Sequence, residues 1–347
     1  MSAGPGGPGD AGRRPPPAAG PGRGTQGQGA RSGAGRRRDG ATMVPDAEPR
    51  SYYGQPIINR PVWTWEVPWY LWAGGLAGAS LPLGVAASLG GNRALARRAS
   101  AVALAGALAS PALLVSDLGR PERFLNMLRV FKPTSAMNVG SWILTAFGSA
   151  AALGAGRELF GVFPRAGRAG QLAGLVLGPA LSTYTATLIS GTAVPAWHEA
   201  RHDLPYVFAA SSAASAGGVA CALTPPRAAG PARVLAIGGA VSGLAGLELM
   251  ERRLGPLAAP YHSGTPHRLG QAARALTALG ALGLARGGRR RPVAVAAGLA
   301  LAAGAAAERW SIFAAGMASA DDPAATVGPQ RERLRRQGGA PTRYVRG

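Results

Sequence analysis

The chain has 347 residues, 47% of them hydrophobic and only 15% charged, with a formal net charge of +21. Soluble domains carry roughly 25% charged residues, so this composition points away from a water-soluble globule. The arginines sit in the two termini and in short loops between apolar runs rather than on one basic face, which argues against a nucleic-acid partner. The lone Cys221 excludes an internal disulfide and any cysteine-ligated iron–sulfur cluster held by this chain alone.

Residues 1–50 are rich in Gly, Pro and Arg with almost no large apolar side chains, and such a segment is expected to form a disordered arm. Arg13-Arg14 resembles a twin-arginine pair, but no apolar stretch follows it closely, so no cleaved signal is expected. Residues 51–323 predict an all-α integral membrane domain, and residues 324–347 a basic C-terminal tail.

A membrane-crossing helix needs about 20 mainly apolar residues. In chain order the candidates are Val67–Gly91, Ala99–Ser116, Pro133–Gly156, Gly170–Trp197, Leu204–Pro225, Val234–Leu249, Leu269–Ala285 and Pro292–Ala320. That makes about eight spans, or seven if the run carrying Arg274 stays out. Small residues such as Gly74-Gly75-Leu76-Ala77-Gly78 allow helix backbones to approach closely. Val67-Pro68-Trp69-Tyr70 with its following glycines is echoed by Leu204-Pro205-Tyr206-Val207 with Ser211, Ser212, Ser215 and Gly217. The echo suggests two parallel four-helix bundles, although helix-starting prolines and packing glycines give the same pattern without a repeat.

The connections after spans one, three, five and seven carry arginine, at Arg93, Arg97, Arg98, Arg157, Arg165, Arg168, Arg227, Arg233, Arg286 and Arg289 to Arg291. The opposite connections mix in Asp117, Glu122, Glu199, Asp203 and Glu251. Positive-inside counting puts the first set in the cytoplasm and the Asp117 loop on the far side of the cell membrane.

Ionisable groups at the edge of the hydrocarbon are costly unless paired or functional, so Val115 to Phe124 stands out. Asp117 and Arg120 are three apart and suit either an ion pair ending the helix or a proton or headgroup site. Glu66 abuts the first apolar run and needs a partner such as Arg120 or Arg123. The tryptophans around Asn59–Trp69 read as interfacial anchors. Tyr184 lies inside the fourth run, where its hydroxyl needs a partner, either a quinone carbonyl or a serine or backbone oxygen. His198, His202, His262 and His267 all lie in or beside loops, which disfavours bis-histidine haem. His198 and His202 are four apart, yet no third metal ligand is evident beyond Glu199 or Asp203.

Ser116-Asp117-Leu118-Gly119-Arg120-Pro121 with Arg123-Phe124, then Phe131 to Asn138 and Gly140-Ser141-Trp142, resembles the NrfD/polysulfide reductase membrane-subunit family. Supporting stretches are Trp65-Glu66 through Gly75, Tyr184-Thr185 with Thr192 to Trp197, and Ala315-Gly316 through Pro323. The resemblance spans Asn59 to about Arg331.

What the resemblance implies is a haem-free anchor for a four-cluster-type iron–sulfur subunit and a molybdopterin catalytic subunit in respiration. It would exchange electrons with membrane quinone, menaquinone above all, while holding no haem or iron–sulfur cluster itself. By position Tyr184 looks like the headgroup-contacting tyrosine, joined by Tyr70, Arg120 and Asn59 as quinone-binding candidates. Asp117, Glu66 and His198 are the candidates for proton transfer, and no metal ligand is expected. The first span departs from the polysulfide reductase pattern, lacking the Asn and His expected there. A purely structural anchor and a small-solute or proton transporter are the alternatives.

Overall fold

A computed structural model of the protein describes residues 57–117, 122 and 124–336, the side chains of 330 and 332–336 excepted. Among them eleven α-helices follow one another: α1 Glu66–Leu89, α2 Arg93–Asp117, α3 Phe124–Met127, α4 Ala136–Phe160, α5 Pro164–Ser190, α6 Pro195–Glu199, α7 Leu204–Leu223, α8 Gly230–Leu254, α9 Gly264–Gly287, α10 Arg291–Asp321 and α11 Pro323–Arg336. A 3-10 segment, Gly255–His262, joins α8 to α9.

Local chemistry explains many of the boundaries. Proline opens α5, α6, α7, α8 and α10 within the first two positions, where its missing N–H removes no helical hydrogen bond. Ser135 caps α4 by accepting the backbone N–H of Asn138 at 3.4 Å. Gly161 closes the same helix at φ +71°, a left-handed conformation that suits glycine.

Seven of these helices are long and apolar enough to cross a membrane: α1, α2, α4, α5, α7, α8 with its 3-10 extension, and α10. The 24-residue α9 is as long as α1 but carries Arg268, Arg274 and Arg286, which place it outside that set. Arg274 is matched within the fold, its guanidinium lying 2.7 Å from the Glu251 carboxylate on α8. The expected fourth run is two helices, because the chain turns at Gly191 and Trp197 belongs to the short α6.

The long helices form two groups of four, α1-α2-α4-α5 and α7-α8-α9-α10. The neighbour pattern repeats: first against second, third against fourth, first against fourth, and more weakly second against third. The groups meet mainly where α7 packs on α1 and α5. In each group the first and fourth helices touch at paired glycines. A Cβ at Gly78 would lie 2.6 Å from the Gly178 carbonyl oxygen, and one at Gly218 would lie 2.8 Å from that of Gly298. Glycine is required at such crossings because the backbones themselves are in contact.

This up-and-down order gives the membrane domain two ends. The starts of α1, α4, α7 and α9 gather with the ends of α2, α5, α8 and α10 at what we call the carboxylate end. The reverse termini form the arginine end. There Arg93, Arg97, Arg98, Arg157, Arg165, Arg168, Arg227, Arg233, Arg286, Arg289, Arg290 and Arg291 face a single carboxylate among the described residues, Glu158.

Candidate functional site

The carboxylate end is built around the segment that leads into α1. Trp63 stacks on Trp197 with ring centroids 5.8 Å apart. Trp197 is fully buried, donates its indole N–H to the Ile312 carbonyl at 2.8 Å, and lies against Gly316, where a Cβ would overlap the ring. Arg60 reaches Asp321 at the end of α10 at 3.5 Å, an exposed pair worth roughly 0–1 kcal/mol. The aromatic stack therefore does more than this ion pair to hold the segment in place. Asn59, next to Arg60, is exposed.

This anchoring positions Thr64, whose hydroxyl contacts two carboxylates. It donates to Glu66 in the first turn of α1, and its oxygen lies 3.3 Å from a carboxylate oxygen of Asp117, the last residue of α2. A threonine hydroxyl has one hydrogen. With both carboxylates ionised only one of the two bonds can be made; a proton on either acid allows both. Glu66 sits at the favourable, positive end of its helix dipole and Asp117 at the negative end of its own. The sequence marked both acids but not the hydroxyl between them, since Thr64 lies in an irregular segment without a motif.

One turn inside Glu66, on the same face of α1, Tyr70 is buried at 2% exposure. Tyr184, on α5, is 7% exposed and donates its hydroxyl hydrogen to the Ala136 carbonyl at the start of α4. Its ring occupies the place a side chain at Gly140 would take. The Ala136 carbonyl is a backbone partner of the kind expected for this hydroxyl. The hydroxyl oxygen can still accept a hydrogen bond.

Asn138 organises the approach to α4. Its side-chain carbonyl accepts from the Lys132 backbone N–H at 2.6 Å, and its amide donates to the carbonyls of Met127 at 2.6 Å and Val130 at 3.0 Å. This amide folds the loop after α3 back on the helix that carries Gly140. His198 is half-buried on α6, where its carbonyl accepts from the Arg201 guanidinium at 3.1 Å. His202 is exposed, and no group of three ligand-type side chains able to hold a metal occurs among the described residues. Arg120 and Arg123 lie outside the described residues, and with them the expected pairing of Asp117 with Arg120 and of Glu66 with either arginine.

A second polar group lies inside the other bundle. Glu308 and Arg309 on α10 pair at 2.6 Å with both side chains buried. Arg309 also donates to the Phe208 carbonyl at 2.9 Å and the Ser212 hydroxyl at 3.3 Å, and its guanidinium lies 3.6 Å from the centre of the Phe208 ring. These contacts tie α10 to α7.

The family model described as polysulphide reductase, NrfD, matches residues 56–230, just over half of the chain. The match takes in the Trp63–Thr64 segment, the whole first bundle, α6 and α7. No curated protein matches the chain. The chain belongs to the polysulphide reductase NrfD family, as a multi-pass membrane protein of a family that serves quinone-interacting oxidoreductase complexes.

Proposed function

We propose that the chain anchors an iron–sulfur subunit and a molybdopterin catalytic subunit to the plasma membrane and passes electrons between the iron–sulfur partner and membrane quinone. Menaquinone is the expected carrier. The carboxylate end is the docking side and faces away from the cytoplasm, as the weight of arginine at the opposite end favours.

The observation that carries this reading is the layering of the first bundle. Two buried tyrosines, Tyr70 and Tyr184, lie directly inside a rim where Glu66 and Asp117 meet at one hydroxyl. Quinone reduction consumes protons as well as electrons, and its reverse releases them. Tyr184, with its own hydrogen committed to Ala136, offers an oxygen that accepts from a quinol O–H. Glu66, Thr64 and Asp117 hold and move the proton at the rim, with His198 as a further proton group and Arg120 and Asn59 as headgroup contacts. The chain supplies binding, orientation and protons; the electrons come from the partner's cluster.

The test is Tyr184→Phe and Asp117→Asn, each carried in the assembled complex, with quinone-linked turnover as the readout. Loss of turnover in an intact complex supports the reading, and unchanged turnover in both discards the site. A structural anchor is the second reading, favoured by the satisfied hydroxyl of Tyr184. It predicts that the same substitutions disturb assembly or nothing.

A further inference from the structure

The arginine end holds a groove that none of these roles uses. Where α8 begins beside the turn from α9 to α10, a cavity of about 770 Å³ is lined by Arg233, Arg286, Arg289 and Arg290 together with Leu279 and Leu282. Arg233 is pinned at its base, donating to the Pro226 carbonyl at 3.3 Å and the Gly288 carbonyl at 3.2 Å, and its Nε is buried with no hydrogen-bond partner. Arg286, Arg289 and Arg290 are exposed, and the ion pairs of the described residues all lie elsewhere. Leu279 and Leu282, one turn apart on α9, are 64% and 45% exposed.

Two features of this groove point to the same ligand. Guanidinium groups concentrated without carboxylates repel one another unless an anion joins them, and their planar forks match phosphate oxygens two at a time. Bare leucines on a membrane-domain helix immediately beside those arginines suit acyl chains. A soluble anion would use the arginines alone, whereas a phospholipid uses both the arginines and the leucines. We propose that this groove binds an anionic phospholipid, its phosphate among Arg233, Arg286, Arg289 and Arg290 and its acyl chains along Leu279 and Leu282.

The test is native mass spectrometry of the full chain released from detergent micelles carrying phosphatidylglycerol or phosphatidylcholine, with inorganic phosphate as competitor. Phosphatidylglycerol is retained in preference to phosphatidylcholine, and excess phosphate does not displace it. Arg286→Gln, Arg289→Gln and Arg290→Gln together lower retention about tenfold, the equivalent of roughly 1.4 kcal/mol. Arg97→Gln, Arg165→Gln and Arg168→Gln, at the same end but outside the groove, leave it unchanged. If the glutamine triple fails to insert, the lysine triple keeps the loop charge while removing the paired N–H fork, and it too lowers retention. Equal losses from the groove and control triples would overturn the proposal, as would equal retention of the two lipids. Complete displacement by phosphate would instead make this a free-anion site and equally overturn it.

Discussion

Glu66 and Asp117, the first residue of one helix and the last of the next, meet at a single hydrogen, that of the Thr64 hydroxyl. One hydrogen between two acids makes the trio sensitive to an added proton, because protonating either acid completes the second bond. Positioned proton-transfer groups typically contribute 10²–10⁴-fold to a rate. Thr64→Val keeps the shape and removes the hydrogen, so quinone-linked turnover of the assembled complex should fall by at least about tenfold. Thr64→Ser should keep most of it. Equal turnover in both variants would remove Thr64 from the proton path.

Gly140→Ala places a methyl where the Tyr184 ring lies, and neither helix backbone can retreat without disturbing the α4–α5 contact. The substitution should displace the ring and cost about 1–3 kcal/mol through overpacking. Quinone-linked KM should rise, while electron transfer from the catalytic subunit to a soluble acceptor stays unchanged. Steady-state assays with both acceptors separate the two effects.

Breaking the Glu308–Arg309 pair leaves a charge in the interior of the second bundle. Glu308→Leu should destabilise the chain by roughly 3–5 kcal/mol, the range for an uncompensated buried ion. Replacing both residues with leucine should recover much of that loss. Thermal unfolding of the purified chain in detergent, read by circular dichroism, checks the order: double variant above the single variant.

Gly316→Ala drives a methyl into the Trp197 indole, on which Trp63 stacks. The segment before α1 should loosen. Limited proteolysis would then cut between residues 57 and 65 faster than in the wild type, with the helices otherwise intact. Unchanged cleavage would mean that the segment is held by something other than the stack.

Much of this fold was legible because its cues are local. Apolar runs located the eight long helices, and prolines at Pro164, Pro205, Pro231 and Pro292 mark the openings of α5, α7, α8 and α10. The break at Gly191 was missed because the apolar run continues through Thr192 to Trp197; the Pro195 start was the available sign. The Trp63–Trp197 stack and the Tyr184–Ala136 bond join residues far apart in sequence, and one partner of the latter is a backbone oxygen that no side-chain pattern announces. Glu66, Asp117 and Tyr184 were readable as unusual polar groups in an apolar chain, whereas Tyr70 entered only through the family resemblance. Their meeting at one end followed only from the up-and-down order of the helices.

Photolabelling reports whether a quinone headgroup sits against Tyr70 and Tyr184 in the first bundle. The assembled complex in its native membrane is irradiated with an azido-quinone, and the labelled peptides are mapped by mass spectrometry. Labels on α1 near Tyr70 and on α5 near Tyr184, suppressed by excess unlabelled quinone, are the expected result. Competable labelling confined to the second bundle, or none on this chain at all, would contradict the account.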